Sequence, residues 1–274
     1  MNGINHVVVF GGRNSDGLLG DTWVVKIIGI HDVAEKITTS ISSPSPRWGH
    51  GASVFNNTMY MFGGASNDDD NAVWTFTLAS SSDGQWQRLE VQGSRPANRL
   101  CFYMSITNMA PWGPSLVIAG GWNTSHNGDP FSDTWVLLPG SPWTWAEKGV
   151  APRAAAGVAA TMFYDDTAHT SIMVWGIAYS ENTTLTPASY PVGFTTVYVL
   201  AGNGTWMPSS EVDPLCSVRL PSANVGASVG VVGGILYVFG GFDTLVGTIS
   251  QTFYRVLLFS NSKMGVYDGW ERGV

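Results

Sequence analysis

The sequence is poor in charge, since Asp, Glu, Lys and Arg make up 12% of its 274 residues, about half of the usual share. The sequence has 13 basic and 20 acidic residues, which gives a net charge of −7, and the basic residues form no cluster. Because phosphate groups are bound by concentrated positive charge, this composition argues against nucleic-acid partners and anionic membrane surfaces. The polar surface must come from hydroxyl and amide groups, as in turn-rich β proteins.

Cysteine is scarce, and neither a leader segment nor a long apolar run is recognisable. Two cysteines, Cys101 and Cys216, give no disulfide framework and no CxxC metal pair. The first residues run straight into an apolar segment without a basic start or a cleavage site, so either the protein is intracellular or its sequence continues upstream. The uncharged window 225–242 is short for a span and holds six glycines. It predicts two strands and a turn, and no insertion into a membrane.

Four N-x-Ser/Thr sequons lie in predicted loops, where a glycan acceptor has to be. Their asparagines are Asn56, Asn123, Asn182 and Asn203. Together with the scarcity of lysine, they favour a glycoprotein that is extracellular or on the cell surface. A cytoplasmic location is the alternative.

A double glycine at the end of an apolar run recurs along the chain, once in degraded form. The pairs are Gly11-Gly12, Gly63-Gly64, Gly120-Gly121, the degraded Trp175-Gly176 and Gly240-Gly241, with first members 52, 57, 55 and 65 residues apart. A polar loop and an aromatic-bearing strand follow each pair, at Trp23, Trp74, Trp135, Tyr198 and Phe253. A further tryptophan follows in four units, at Trp86, Trp145, Trp206 and Trp270. Three signals in fixed order indicate one repeated structural unit.

This pattern resembles the kelch repeat of the galactose oxidase-like superfamily, whose unit forms one four-stranded antiparallel blade of a β-propeller. The resemblance implies an all-β fold and one domain over residues 1–274, with units at about 1–45, 46–95, 96–150, 151–215 and 216–274. The first unit lacks its inner strand. We therefore expect a segment of a longer chain or of a larger ring, with a five-blade ring as the alternative.

The stretch PRWGHGASVFNNTMYMFGGA, residues 46–65, shows the order within a unit. Pro46 to His50 lead into an inner strand, and the second strand is Met59–Phe62. Asn56-Asn57 predicts a two-residue hairpin turn with left-handed backbone. The glycines then allow a sharp backbone turn where a side chain would clash. The in-register tryptophans are predicted to be core aromatics between blades.

In such a meander, the loop between strands two and three and the link to the next blade lie on the same face. Function is often carried by loops on a rigid scaffold. The candidate binding residues on this face are Arg13, Asn14, Asp16, Arg47, His50, Asp68, Asp69, Arg99, Trp122, His126, Asp129 and Arg153. Three of these arginines recur near the starts of inner strands and also fit hydrogen bonds between blades or loops, namely Arg47, Arg99 and Arg153.

We expect a non-catalytic module that binds a protein or a glycan through this face. The alternatives are a kelch-type enzyme acting on a sugar, as an oxidase or a mutarotase, and a structural subunit that packs against copies of itself. The five histidines show no ligand spacing, and neither the copper nor the iron arrangement of kelch-like enzymes is recognisable. No metal, no cofactor and no catalytic residue is therefore predicted.

Three local motifs have competing interpretations. Gly226-Ala227-Ser228-Val229-Gly230 matches a nucleophile elbow, but its serine lies in a predicted strand without a following helix. The acidic run 67–71 suits Ca²⁺ or a solvated loop tip, and it lacks the glycine and distal glutamate of an EF-hand loop. The loop with Trp122 suits a sugar or a peptide, or Trp122 packs on its own blade.

Overall fold

The computed structural model describes an all-β chain with its strands in antiparallel meanders. The described residues are 5–29, 32–39, 42–68, 70–80, 83–100, 102–109, 111–121, 123, 131–150, 161–165, 170–174, 197–200, 203–208, 224–225, 228–232, 235–240, 242–243, 248–249 and 253–257. No helix occurs among them.

Five groups of strands correspond to the five repeat units. The first holds β1 (Asn5–Asn14), β2 (Gly17–Ile27) and β3 (Val33–Thr39). The second holds β4 (Arg47–Trp48), β5 (Gly51–Phe55), β6 (Thr58–Phe62), β7 (Ala65–Ser66), β8 (Trp74–Leu78) and β9 (Asp83–Arg88). The third holds β11 (Tyr103–Met109), β12 (Gly113–Ala119), β13 (Asp133–Leu138) and β14 (Trp143–Val150), and β10 (Val91–Gln92), from the end of the second unit, pairs with β14. The fourth holds β15 (Thr161–Asp165), β16 (Thr170–Val174), β17 (Val197–Leu200) and β18 (Trp206–Pro208), and the fifth holds β19 (Asn224–Val225), β20 (Ser228–Val232), β21 (Ile235–Phe239), β22 (Phe242–Asp243), β23 (Thr248–Ile249) and β24 (Phe253–Leu257).

The pairing order confirms the predicted four-stranded blades. The second, third and fourth units form the antiparallel meanders β5-β6-β8-β9, β11-β12-β13-β14 and β15-β16-β17-β18. The first unit has only β1-β2-β3, and the described part of the fifth has β20-β21-β24. The predicted outermost strand of the fifth unit, near Trp270, lies outside the described residues. A short parallel pairing of β3 with β9 joins the first two sheets.

The chain divides into two compact units. One comprises residues 1–100 with 141–143, and the other comprises residues 101–140 with 144–274. The assignment of residues 1–274 to a single propeller domain remains a prediction.

The core of the first compact unit lies between the sheets of the first two repeats. Val24, Ile37 and Phe10 from the first sheet pack with Met59, Met61, Trp74, Phe76 and Trp86 from the second. Burial of such apolar side chains contributes about 1.5–3 kcal/mol each. The prediction that the in-register tryptophans are core aromatics is confirmed for Trp74 and Trp86, which are buried, and is wrong for Trp23, which is 38% exposed. Trp23 lies in the first repeat, whose sheet has no inner strand in the described part of the chain.

A hydrogen bond between a tryptophan and a threonine joins neighbouring blades in each of the two compact units. The buried Trp86 Nε1 donates to Thr22 Oγ1 at 3.0 Å in the first unit, and Trp206 Nε1 donates to Thr134 Oγ1 at 3.0 Å in the second. Thr22 and Thr134 hold the same position in two Asp-Thr-Trp segments. The threonine of each segment thus accepts a hydrogen bond from the later tryptophan of the next repeat.

The predicted turns have the expected backbone. Asn56 and Asn57 have φ values of 47° and 59°, and β5 pairs with β6 across them as a two-residue hairpin. Gly63 and Gly64 also have positive φ, at 71° and 93°. A Cβ at Gly64 would lie 2.9 Å from His50 Cβ and from the Trp48 carbonyl oxygen. The double glycine therefore allows the close approach of the loop that enters the same blade.

Two segments that the sequence predicts to contain strands do contain them. Ser228 begins β20, so the serine of the G-x-S-x-G match lies in a strand, as predicted. The window 225–242 contains the antiparallel pair β20-β21, and none of the described residues forms a helix that could cross a bilayer.

Candidate functional site

Two equivalent loops, one from the first repeat and one from the second, form the candidate surface. The turn between β1 and β2 carries Arg13, Asn14 and Asp16, all exposed, and the loop between β6 and β8 carries Asp68. Because β1 and β2 correspond to β6 and β8, the two loops lie at the same end of the strands. We call Arg13, Asn14, Asp16 and Asp68 the loop surface. The prediction that these residues form a binding face stays a prediction.

The β1-β2 turn is held by its own side chain. Asn14 Oδ1 accepts hydrogen bonds from the backbone N–H groups of Asp16 and Gly17, at 2.9 and 3.0 Å. Asparagine commonly closes turns in this way. The Asp16 carboxylate is consequently exposed on a backbone with a defined conformation.

Arg47 is not on the surface. Its side chain is fully buried, and it donates to the carbonyl oxygens of Ser45 and Gly63 at 3.0 Å each and to Ser45 Oγ at 2.7 Å. Its guanidinium also lies 3.4 Å from an Asp70 carboxylate oxygen and 4.0 Å from one of Asp68. The buried arginine thus ties the loop entering the second blade to the loop between β6 and β8.

Asp68 is the exposed end of this network, with half of its side chain accessible to solvent. One carboxylate oxygen accepts from Ser45 Oγ at 2.9 Å and from Ser66 Oγ at 2.7 Å. Partial burial raises the pKa of Asp68, but the hydrogen bonds from Ser66 and Ser45 and the charge of Arg47 outweigh it, so the pKa lies below its ordinary value. Asp68 is therefore a fixed, ionised carboxylate open to a partner.

Asp70 is the inner member of the acidic run. It accepts from Trp74 Nε1 at 2.8 Å and from the Ala72 backbone N–H at 3.0 Å, and Arg88 lies 3.5 Å away on its outer side. Both oxygens of the Asp70 carboxylate therefore accept hydrogen bonds from groups of the protein. Among the residues that the structure describes, no group of three or more His, Cys, Asp or Glu side chains is arranged to hold a metal ion.

His50 lies beneath the same loops, against Phe10 with ring centroids 5.7 Å apart. Its Nδ1 is buried and has no hydrogen-bond partner in the described structure. Burial, with a smaller effect from the charge of Arg47, lowers the pKa of His50 to about 4. Protonation of His50 is therefore unfavourable while these loops are packed over it.

We expect the protein to lose stability in mild acid because of His50. The unfolded chain binds this proton near pH 6.5 and the native state binds it only near pH 4, so the stabilisation is full above pH 6.5 and is lost as the pH falls towards 4. The loss attributable to His50 is about 3 kcal/mol over that range. Urea unfolding at pH 7, 6, 5 and 4 measures it, with His6→Leu as the control substitution. His50→Leu should flatten the dependence, and an unchanged dependence in that variant would contradict the assignment.

Arg99 repeats the position of Arg47 in the next unit and is also buried. Its Nε donates to the Ala97 carbonyl oxygen at 3.1 Å, and its own carbonyl oxygen accepts from the Gly64 N–H at 2.7 Å. Asn98 Nδ2 donates to the Gly64 carbonyl oxygen at 3.1 Å. Arg47 and Arg99 therefore anchor loops, as one of the two interpretations of these arginines expected, and they do not present their guanidinium groups to a partner.

The remaining candidates fall in other parts of the chain. Asp69, Trp122, His126, Asp129, Arg153 and Asn182 lie outside the described residues. Of the other sequon residues, Asn56 and Asn203 are exposed and Asn123 is half-buried. Ser45 and Ser66 were missed by sequence reasoning, because isolated serines are common and carry no signal of the carboxylate that they orient.

Comparison with known proteins identifies the repeat independently. The KLHDC2/KLHL20/DRC7 Kelch-repeats domain matches residues 1–176, and the Kelch motif matches residues 223–256. The chain is 33% identical over 107 residues to tip elongation aberrant protein 1 of Schizosaccharomyces pombe, an alignment that covers 35% of this chain and 8% of that protein. It is 27% identical over 127 residues to Kelch repeat-containing protein 2 of Saccharomyces cerevisiae, covering 43% of this chain and 14% of that protein. The aligned regions thus span only a small part of these relatives, but the domain match covers well over half of this sequence, and the chain belongs to the kelch-repeat family.

Proposed function

We propose that this kelch domain is a binding module that recognises a partner protein through the loop surface. Kelch-repeat domains are typically protein-interaction modules. The observation that carries the proposal is Asp68, an exposed carboxylate that Ser45 and Ser66 hold in one orientation. An ordered polar group loses little conformational freedom on binding and so favours specific recognition.

The charges of the loop surface indicate what it recognises. Asp16 and Asp68 present carboxylates and Arg13 presents one guanidinium, so the loop surface has a net negative charge, and the Arg47 charge beside Asp68 is fully buried. A partner with a lysine or an arginine opposite these carboxylates gains charge-assisted hydrogen bonds. The favoured partner is therefore a protein segment with basic residues.

Matched charge removal tests this surface. The double variant Asp16→Asn/Asp68→Asn removes two charges from the loop surface, and Asp32→Asn/Asp83→Asn removes two exposed charges at the opposite ends of the strands. Each protein, immobilised, is incubated with extract of the source cells, and the captured proteins are compared by quantitative mass spectrometry. We expect one or more partners to be retained by the wild type and the control and reduced about tenfold by the first variant, as the loss of a charged hydrogen bond implies. Equal capture by all three proteins would reject the loop surface as the binding site.

We also propose that the protein passes through the secretory route. Asn56 lies exposed at the tip of the β5-β6 hairpin, and Asn203 is exposed in a turn in which its Oδ1 accepts from the Thr205 N–H at 3.0 Å. Both positions leave room for a glycan. The intact mass of protein from its native source, before and after enzymatic removal of N-glycans, should fall, with the change mapped to Asn56 or Asn203. No mass change at any of the four sequons would reject this location.

A further inference from the structure

The third repeat carries an exposed tryptophan that the repeat pattern does not account for. Trp112 lies at the tip of the β11-β12 hairpin, where three residues separate the paired Met109 and Gly113. The equivalent hairpins of the second and fifth repeats are closed by two residues, Asn-Asn and Gly-Gly. The side chain of Trp112 is 42% accessible to solvent. Neither the turn nor the core therefore requires a tryptophan at this position.

The indole N–H of Trp112 donates to no side chain or carbonyl group among the residues that the structure describes. Five other tryptophans do donate this N–H, three of them to an aspartate and two to a threonine, namely Trp23, Trp74, Trp135, Trp86 and Trp206. On an exposed side chain, such a donor is hydrated and can exchange water for an acceptor of a partner. Trp112 thus offers an apolar ring and a hydrogen-bond donor on the surface.

Lys148 meets this ring because β14 contains a β-bulge. The register shift opposite residues 134–135 leaves Lys148 as an extra residue between two paired positions of β14. In the first repeat, β2 and β3 pair without a shift over residues 22–26. Bulges commonly redirect a side chain. The Nζ of Lys148 lies 4.6 Å from the centroid of the Trp112 ring, which is the geometry of a cation–π contact.

The stem of Lys148 is held beside the next repeat. A Cβ at Gly204 would lie 2.9 Å from Lys148 Cβ and 3.2 Å from its Cγ, so the glycine leaves the room that this side chain occupies. Lys148 forms no ion pair with a residue in the described part of the chain. An ammonium group has three N–H donors, and an aromatic ring face provides no carboxylate for them. Lys148 is therefore a positioned cation without a counter-charge.

We infer that Trp112 and Lys148 form a second binding surface, which takes an acidic residue of a partner protein together with an apolar side chain beside it. The Lys148 ammonium and the Trp112 N–H both donate, and a carboxylate is the acceptor that complements them. The apolar neighbour covers the accessible ring, and tryptophans are frequent hot spots of protein interfaces. This inference rests on the proposed protein-binding function and adds to it a contact of opposite charge to the loop surface.

The shape of the surface favours a protein over a small acidic ligand. Small ligands are bound mostly in concave pockets, whereas Trp112 lies at the tip of a hairpin with Pro111 exposed beside it. A protruding aromatic side chain fits a depression on a partner. Within its repeat, this hairpin lies at the end of β12 opposite to the loop that corresponds to the loop surface. Substitutions can therefore remove either surface and leave the other intact.

A phage-displayed library of random peptides is the probe. It is selected on the full chain and, in parallel, on the variant Trp112→Ala. We expect the peptides selected only by the wild type to be enriched in an aspartate or glutamate next to an apolar residue. The most enriched peptide is then synthesised in its acidic form and with the corresponding amide, and both are titrated by isothermal calorimetry. The amide form should bind about tenfold more weakly, because a charge-assisted hydrogen bond is lost.

Matched variants of the protein locate the contact. Trp112→Ala and Lys148→Gln should each weaken binding of the acidic peptide about tenfold. Lys148→Gln should also reduce the salt dependence of this binding, which a merely structural role of the lysine would not change. Lys36→Gln, at an exposed lysine of β3, should leave binding unchanged. Circular dichroism checks that each variant is folded.

The outcomes separate the possibilities. Selection without enrichment of acidic residues, equal binding of the acid and amide peptides, or equal binding by the wild type and Trp112→Ala would each overturn the inference. Binding of glucuronate oligosaccharides that requires Trp112 and Lys148, in place of peptide binding, would also overturn it, because the occupant would then be an acidic sugar. The variant Asp16→Asn/Asp68→Asn should bind the peptide like the wild type, so failure here is distinguishable from failure of the loop surface.

Discussion

Arg47→Leu should lower the free energy of unfolding by about 3–5 kcal/mol, the range expected when one member of a buried ion pair is removed. The substitution leaves the Gly63 carbonyl oxygen and the Asp70 carboxylate without a donor that now lies within 3.0 and 3.4 Å. Water cannot replace the guanidinium easily, because the side chain of Arg47 is fully buried. Urea unfolding followed by tryptophan fluorescence at pH 7 measures the change.

Two further variants make the result specific. Arg13→Leu removes an exposed arginine from the same side of the sheets and should change stability by less than about 0.5 kcal/mol. Asp70→Asn combined with Arg47→Leu should cost less than the sum of the two single substitutions, since both remove the same ion pair. A loss below about 1 kcal/mol for Arg47→Leu would show that Arg47 is not an anchor of these loops.

The repeat made the fold predictable because it constrains several levels of structure at once. The double glycine, the aromatic strand and the later tryptophan recur in order, and the structure shows why: the backbone of Gly64 approaches His50, and Trp86 bonds to Thr22. Asn56-Asn57 was equally predictable, because its backbone preference is local. Features that depend on chemistry within one turn, or that recur at fixed places in successive repeats, can be inferred from the residues alone.

The candidate site was harder to predict, because its properties depend on contacts between loops distant in sequence. Arg47 and Asp68 were expected on one face, and they lie together, but Arg47 is buried beneath the loop and Asp68 is exposed above it. Which member is buried is decided by the Gly63 carbonyl oxygen and by Asp70, each of which lies 16 or more residues from Arg47. The orientation of Asp68 depends on Ser45, 23 residues away. Sequence patterns predict which loops meet, and the packing decides which of their groups remain available.

The loop surface offers fixed side-chain charges, so binding of a partner there should weaken as salt is added. Titrations at two ionic strengths therefore test whether the loop surface holds a partner once one has been captured.

Gly64→Ala should lower the free energy of unfolding by about 3 kcal/mol, through two costs that a matched variant can separate. At φ +93° an L-residue is strained, which costs about 1–2 kcal/mol, and crowding in a packed site adds about 1–3 kcal/mol. The new Cβ would lie 2.9 Å from the Trp48 carbonyl oxygen and from His50 Cβ. The backbone there is held by β4 pairing with β7, so it cannot move away freely.

Gly29 is the matched control, because its φ is +107° and a Cβ there would meet nothing within 4 Å. Gly29→Ala should therefore show the backbone strain alone, about 1 kcal/mol. The difference between the two variants in urea unfolding measures how tightly the double glycine packs against the loop entering its blade. Equal losses would mean that the second glycine is required only for its backbone conformation. A larger loss for Gly64→Ala would explain why the repeat retains a glycine at a position where Asn, which tolerates left-handed backbone, would otherwise be sufficient.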